Sequence, residues 1–301
     1  MKTAIIDVGG GMQAAFAAGV LACLQDEHIS FDLCYGVSAG AANLVNFLTG
    51  DMEASRLFYL DPEARKKVFS FSNFITKGSY VDFDRIYNDS EKLTKALDAD
   101  SSLTVVATNA FTGDPAYFTK RMLEKHGLEI LKASSSLPPA CPPHLVGNIP
   151  YLDGGIADLV PVKKALEQGA DKIVVLSTYP MQEEADLEKF YSAALLFDWK
   201  YPGAAKALRE NVIRYNEAVA LVRQLEAEGK LLSIYADDDH GVQALSRGTA
   251  GVQELWDQGY EKGKLVRDFL GADSRHSWWR RLLPFIPPKP PISPIQNDQQ
   301  S

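Results

Sequence analysis

The 301-residue chain reads as an α/β protein, a three-layer α/β/α fold around a mostly parallel central sheet. Three observations predict this. Short apolar, β-branched runs alternate with helix-period segments along most of the chain. The runs are near-continuously apolar, as in Ile173-Val174-Val175-Leu176, the pattern of strands covered on both faces. Finally, 46% hydrophobic residues over this length suit one large core better than two small ones.

In chain order, strands are expected at residues 3–8, 31–35, 103–108, 173–177 and 231–236. Helices are expected at 13–25, 38–48, 123–133, 162–168, 205–228 and 253–269. The apolar stretch 12–24, about 13 residues, is shorter than the roughly 20 that span a bilayer and reads as a buried helix. The helix at 205–228 carries Leu208, Val212, Tyr215, Val219, Val222 and Leu225 at spacings of three or four, a single core-facing stripe. Residues 1–180 are expected to form the core of the domain and 181–271 a helical C-terminal part packed on it. Residues 272–301 form an amphiphilic, proline-rich tail expected to be disordered.

Composition narrows the function classes. A net charge of −8 with no long basic run argues against nucleic-acid binding, which needs clustered Lys and Arg. Cys23, Cys34 and Cys141 are scattered and lack ligand spacing, so neither a metal site nor a disulfide framework is expected. No cofactor is called for. Met1-Lys2-Thr3-Ala4 enters a strand-like run at once, without the layout of a signal peptide, so a cytoplasmic location is expected. Trp278-Trp279-Arg280-Arg281-Leu282-Leu283-Pro284-Phe285-Ile286 has the composition of an interfacial anchor. It has two readings: peripheral contact with the inner membrane face, or docking of its aromatics on the domain.

Two glycine-rich turns follow the first two strands. The second, Gly36-Val37-Ser38-Ala39-Gly40, sits between an apolar strand and a helix. Small residues around the serine allow a tight turn that presents its Oγ at the carboxyl end of the sheet, at the positive end of the next helix. Ser38 is therefore the candidate nucleophile. The first turn, Gly9-Gly10-Gly11, can point successive N–H groups into one concavity, which is what an oxyanion requires. Gly9-x-Gly11-x-x-Ala14 also fits a dinucleotide fingerprint, but Asp32, the acidic residue that motif needs, stands at the beginning of its strand, on the wrong edge.

A base for Ser38 is harder to find. None of His28, His126, His144, His240 and His276 lies in a compelling frame, and His28 is on the far side. An ordinary α/β-hydrolase would place more strands before its nucleophile, although His240 or His276 remains available for such a triad. Asp153-Gly154-Gly155 offers a carboxylate whose following glycines permit close approach to another backbone, yet the tripeptide alone also reads as a turn.

Taken together, Gly9-Gly10-Gly11, Gly36-Val37-Ser38-Ala39-Gly40 and Asp153-Gly154-Gly155 resemble the patatin-like phospholipase family, as found in bacterial members. The serine and aspartate are 115 positions apart (153 − 38), in agreement with the family. Thr108-Asn109-Ala110-Phe111-Thr112-Gly113, Ala133-Ser134-Ser135-Ser136-Leu137-Pro138 and Gly155-Ile156-Ala157-Asp158-Leu159-Val160-Pro161-Val162 are similar to further family blocks. The likeness has specific motifs over about residues 1–180. It implies a Ser38–Asp153 dyad without histidine, Gly10 and Gly11 as oxyanion donors, and a lipid acyl-ester substrate cleaved without metal. One departure matters: the family has Arg or Lys two places after the third glycine, where this chain has Gln13. A catalytically weak or silent lipid-binding protein is the alternative this leaves. The run at 69–80, with Phe71, Phe74 and Tyr80, has two readings, a lid over a lipid cleft or a loop pinned by aromatics. Asp237-Asp238-Asp239-His240 lacks the spacing of a calcium loop and reads as a solvated turn.

Overall fold

A computed structural model describes residues 1–181, 200–246 and 250–271. Among these, eight strands form one sheet: β1 (Thr3–Asp7), β2 (Leu33–Val37), β3 (Ser102–Asn109), β4 (Pro115–Phe118), β5 (His144–Val146), β6 (Ile149–Asp153), β7 (Lys172–Leu176) and β8 (Leu231–Ile234). Their order is β5-β6-β3-β2-β1-β7-β8, with β4 pairing β3 off that path. The run β3-β2-β1-β7-β8 is parallel throughout. β4 and β6 lie antiparallel to β3, and β5 antiparallel to β6. The five strands expected from apolar runs are those of the parallel part, their ends moved by one or two residues.

The helices are α1 (Ala15–Asp26, after a 3₁₀ turn at Gly11–Ala14), α2 (Ala39–Leu48), α3 (Met52–Leu60), α4 (Pro62–Val68), α5 (Phe71–Lys77), α6 (Phe83–Ile86) and α7 (Ser90–Leu97). They continue with α8 (Lys120–Ser134), α9 (Val162–Glu167), α10 (Pro202–Ala227) and α11 (Val252–Leu270). Alternate strand residues face opposite ways, which builds two cores. Ile5, Cys34, Val105 and Val174 pack under α1, α2, α7, α8 and α11. Ala4, Ile6, Tyr35 and Val175 pack against α9 and the Val222–Leu225 stripe of α10. These are the three layers. α1 and α11 cross at backbone distance, since a Cβ on Gly259 would stand 2.0 Å from the Phe16 carbonyl oxygen. β8 extends the sheet beyond β7, so the C-terminal segment shares the architecture of the N-terminal part.

The region 52–97 holds five short helices that apolar periodicity did not mark. Four of them are specified by caps instead: Asp51, Asp61, Ser70 and Asp89 each accept a backbone N–H of the helix that follows. In the segment 69–80, expected as a lid over a lipid cleft or a loop pinned by aromatics, the helix α5 takes up Phe71–Lys77. Residues 272–301, including Trp278 to Ile286 and His276, lie outside the described residues. Among the described residues no helix is long and apolar enough to cross a membrane.

Candidate active site

The first two strands end side by side in the middle of the sheet, and the glycine turn and the serine elbow leave from their carboxyl ends. That is where α/β sheets place ligands. β2 passes through Ser38 directly into α2. Ser38 has φ 54° and ψ −129°, a conformation costly for any residue but glycine. Close packing around it fixes this elbow. A Cβ on Gly36 would lie 2.5 Å from the Ala41 Cα, and one on Gly40 would lie 2.3 Å from the Asp7 carbonyl oxygen. The Ser38 amide donates to Ser134 Oγ at 3.0 Å, and that hydroxyl donates to the Val106 carbonyl at 2.6 Å. Ser134, from the Ala133–Pro138 block, therefore buttresses the turn.

Asp153 arrives from the other direction. It ends β6, opposite Ala107 of β3, while the adjacent Val106 pairs with Val37 of β2. Antiparallel pairing thus brings a distant residue to the elbow. The Asp153 carboxylate is buried, accepts the Gly155 amide at 2.8 Å and stands with Ser38 on the wall of one cavity. Burial pushes its pKa up to about 6, against the opposing pull of the Ser38 and Gly155 hydrogen bonds. Thr108 Oγ1 donates to the Asp153 carbonyl at 2.7 Å, and Asn211 of α10 donates to the carbonyls of Gly155 and Ile156. α10 thereby holds the loop that carries the aspartate.

Gly9, Gly10 and Gly11 all have positive φ (76°, 112° and 60°). Their three amides are not equivalent. Gly9 N donates to Asp7 Oδ1 at 2.9 Å, whereas Gly10 N and Gly11 N have no acceptor among the described residues. Gly9 also presses on the elbow, where a Cβ would stand 2.4 Å from the Val37 carbonyl oxygen. Asp7 itself was not singled out from the sequence. It is fully buried, accepts Asn43 Nδ2 at 3.0 Å, and Asn43 Oδ1 in turn accepts the Tyr59 hydroxyl. Burial raises the Asp7 pKa to about 6. This network lies beneath the glycine turn and links it to α2 and α3. A charged residue inside an otherwise apolar strand was the available signal.

Gln13 fills the place of the missing cation. Its Nε2 donates to the Val242 carbonyl at 2.9 Å and to the Tyr179 hydroxyl, which donates to Asp239 Oδ2 at 2.8 Å. The acidic turn after β8 is therefore tied through Tyr179 to the glycine turn, and its Asp237 pairs with Lys262. Asp32 accepts the Thr3 amide at the opposite edge of the sheet, which removes the ribose partner a dinucleotide would need. Among the described histidines none lines the cavity around Ser38. His144 instead pairs with Glu129.

That cavity has a volume of about 770 Å³. Ser38, Asp153, Gly10, Gly11 and Gln13 lie on its wall, and Phe58, Phe69, Val81, Phe83, Leu128 and Leu131 make much of the remainder apolar. A chamber of this size and lining has room for a long apolar group beside the polar residues around Ser38.

Residues 8–166 match the patatin-like phospholipase family, and residues 201–266 match a domain of unknown function, DUF6363. The chain is 25% identical over 313 aligned positions to the uncharacterized protein YjjU of Escherichia coli (strain K12), covering 99% of this chain and 87% of that protein. Among solved structures it is similar to VipD from Legionella pneumophila, with a TM-score of 0.46 and 12% identity over 89% of this chain and 67% of that one. The family match takes in the glycine turn, the serine elbow and the aspartate loop over more than half of the chain, so this protein belongs to the patatin-like phospholipase family and to its general class of lipid acyl hydrolases.

Proposed function

We propose that the protein cleaves fatty-acyl esters of phospholipids or related lipids through an acyl-enzyme, with Ser38 as nucleophile and Asp153 as base. The observation that carries this reading is the Ser38 hydroxyl against a buried Asp153 carboxylate at the polar end of an apolar chamber. Asp153 takes the Ser38 proton as Oγ attacks the ester carbonyl carbon. The amides of Gly10 and Gly11 receive the oxyanion, and Asp7 holds the turn by engaging Gly9. Collapse breaks the bond to the alcohol oxygen, which leaves with the proton from Asp153. Water then attacks the acyl-serine, giving its proton to Asp153, and collapse returns that proton to Ser38 as the fatty acid departs. Gln13 lacks the positive charge of the family residue and its Nε2 hydrogens are engaged by Val242 and Tyr179, which leaves stabilisation of the oxyanion to the backbone amides.

The purified protein incubated with phospholipid vesicles is expected to release free fatty acid and the matching lysophospholipid in equal amounts. Vesicle binding with no fatty acid released from any phospholipid or neutral acyl ester would contradict the proposal and favour a lipid-binding role.

A further inference from the structure

The exposed apolar residues of the described chain are not all scattered. Phe71, Phe74 and Ile75 sit at i, i+3 and i+4 on α5, so they share one face. They are 68%, 45% and 71% exposed, and the two phenyl rings stack with centroids 6.1 Å apart. A one-sided aromatic and aliphatic face of this kind in water marks a contact surface. The helix is held firmly in that pose. Ser70 Oγ accepts the Asn73 amide at its start, and Gly78 closes it in the left-handed conformation. Below the helix the chain is pinned by a Phe69–Val81 bridge and by the Ser70 amide donating to the Tyr80 carbonyl at 3.1 Å.

Position and charge say what this face meets. Phe69 and Val81, the two residues at the base of the projection, line the chamber that contains Ser38. The Tyr80 amide donates to the Ala140 carbonyl, joining the projection to the segment of Leu137, which lines the same chamber and is 41% exposed. The helix that carries the apolar face is thus anchored to two segments that line the chamber. Around α5 the exposed basic side chains are Lys66, Lys67 and Lys77; Lys66 pairs with Glu63 and Lys77 with the buried Asp82, while Arg65 is itself buried. Lys66 and Lys77 have side chains 57% and 46% exposed, beside the apolar face. Large apolar side chains flanked by lysines, on a chain that otherwise repels anions, match a bilayer surface containing anionic phospholipid.

We propose that α5 is the membrane-docking element, inserting Phe71, Phe74 and Ile75 among the lipids while Lys66, Lys67 and Lys77 meet anionic headgroups. It would set the chamber against the bilayer so that an acyl chain passes from lipid to protein with little exposure to water. The choice of a bilayer as partner rests on the lipid-hydrolase reading, but docking itself does not require turnover.

The test uses the full-length chain with Ser38→Ala, so that binding is read without hydrolysis. Sedimentation is measured with vesicles of phosphatidylcholine alone and with added phosphatidylglycerol. Phe71→Ser/Phe74→Ser/Ile75→Ser is expected to weaken partition at least about tenfold. Lys66→Glu/Lys67→Glu is expected to remove the preference for phosphatidylglycerol while the apolar face is intact. In a chain retaining Ser38, the triple substitution leaves hydrolysis of a water-soluble short-chain ester within about twofold, which also shows that the variant is folded; if both proteins lack ester turnover, circular dichroism replaces that control, and the binding result still stands. Partition unchanged by the triple substitution overturns the proposal. So does partition lost only with Trp278→Ser/Trp279→Ser, or a dimer in light scattering that the triple substitution dissolves while vesicles remain unbound.

Discussion

Ser38→Ala is expected to lower ester turnover by about 10⁴-fold or more, to the background of the uncatalysed reaction in a preformed oxyanion site. The substitution deletes only the nucleophilic oxygen. Alanine keeps the volume, and it is no worse than serine at φ 54° because neither side chain favours that region. The Ser38 amide still reaches Ser134, and Gly36 and Gly40 still close the elbow. Loss of activity should therefore come without loss of fold, read as an unchanged circular dichroism spectrum and retained vesicle binding. A residual rate near that of the wild type would mean that the acyl group is transferred elsewhere.

Asp153→Asn is expected to reduce kcat by about 10³-fold, the scale of a lost general base, and to stabilise the fold at the same time. Asparagine retains an oxygen for the Gly155 amide but cannot take the serine proton. The stability effect follows from the pKa, which burial raises from 3.8 to about 6. For a carboxyl group raised in this direction, the native state binds its proton more tightly than the unfolded chain does. Its contribution to stability is therefore fully present below about pH 3.8 and lost as pH rises through about 6. Above that pH the wild type carries a buried charge at a cost of about 3 kcal/mol, which the variant avoids. The gain in melting temperature for Asp153→Asn should be larger at pH 8 than at pH 4. Asp7, raised to about 6 by the same cause, is common to both proteins and drops out of the difference. In the wild type the same pKa predicts that kcat/KM falls as pH drops below about 6, where the base becomes protonated. A variant no more stable at pH 8 than the wild type would show that Asp153 is solvated rather than buried.

Much of the parallel sheet could be read from the chain because each strand is apolar on both faces and needs no partner to be recognised. β6 could not be read this way. It contains Pro150, starts at an exposed Ile149, and is defined by pairing with β3 rather than by its own pattern. That pairing is also what delivers Asp153 to Ser38. The serine was therefore legible from a local strand–turn–helix frame, while the aspartate was legible only through family resemblance. The helices between residues 52 and 97 were missed for a different reason. They have four to nine residues each, too short for periodicity to register, although their Asp and Ser caps were in view. Asp7 was hidden by treating Thr3 to Val8 as an apolar run. Its role in ordering Gly9, and so in distinguishing that amide from those of Gly10 and Gly11, needed the buried network with Asn43 and Tyr59.

The central claim, that Ser38 is the nucleophile and Asp153 activates it, is tested most directly by a fluorophosphonate probe followed by peptide mass spectrometry. One adduct is expected, on the peptide containing Ser38, forming faster as pH rises through about 6, slowly with Asp153→Asn and not at all with Ser38→Ala. Labelling of Ser38→Ala at the wild-type rate, or an adduct on a different residue, would contradict the account.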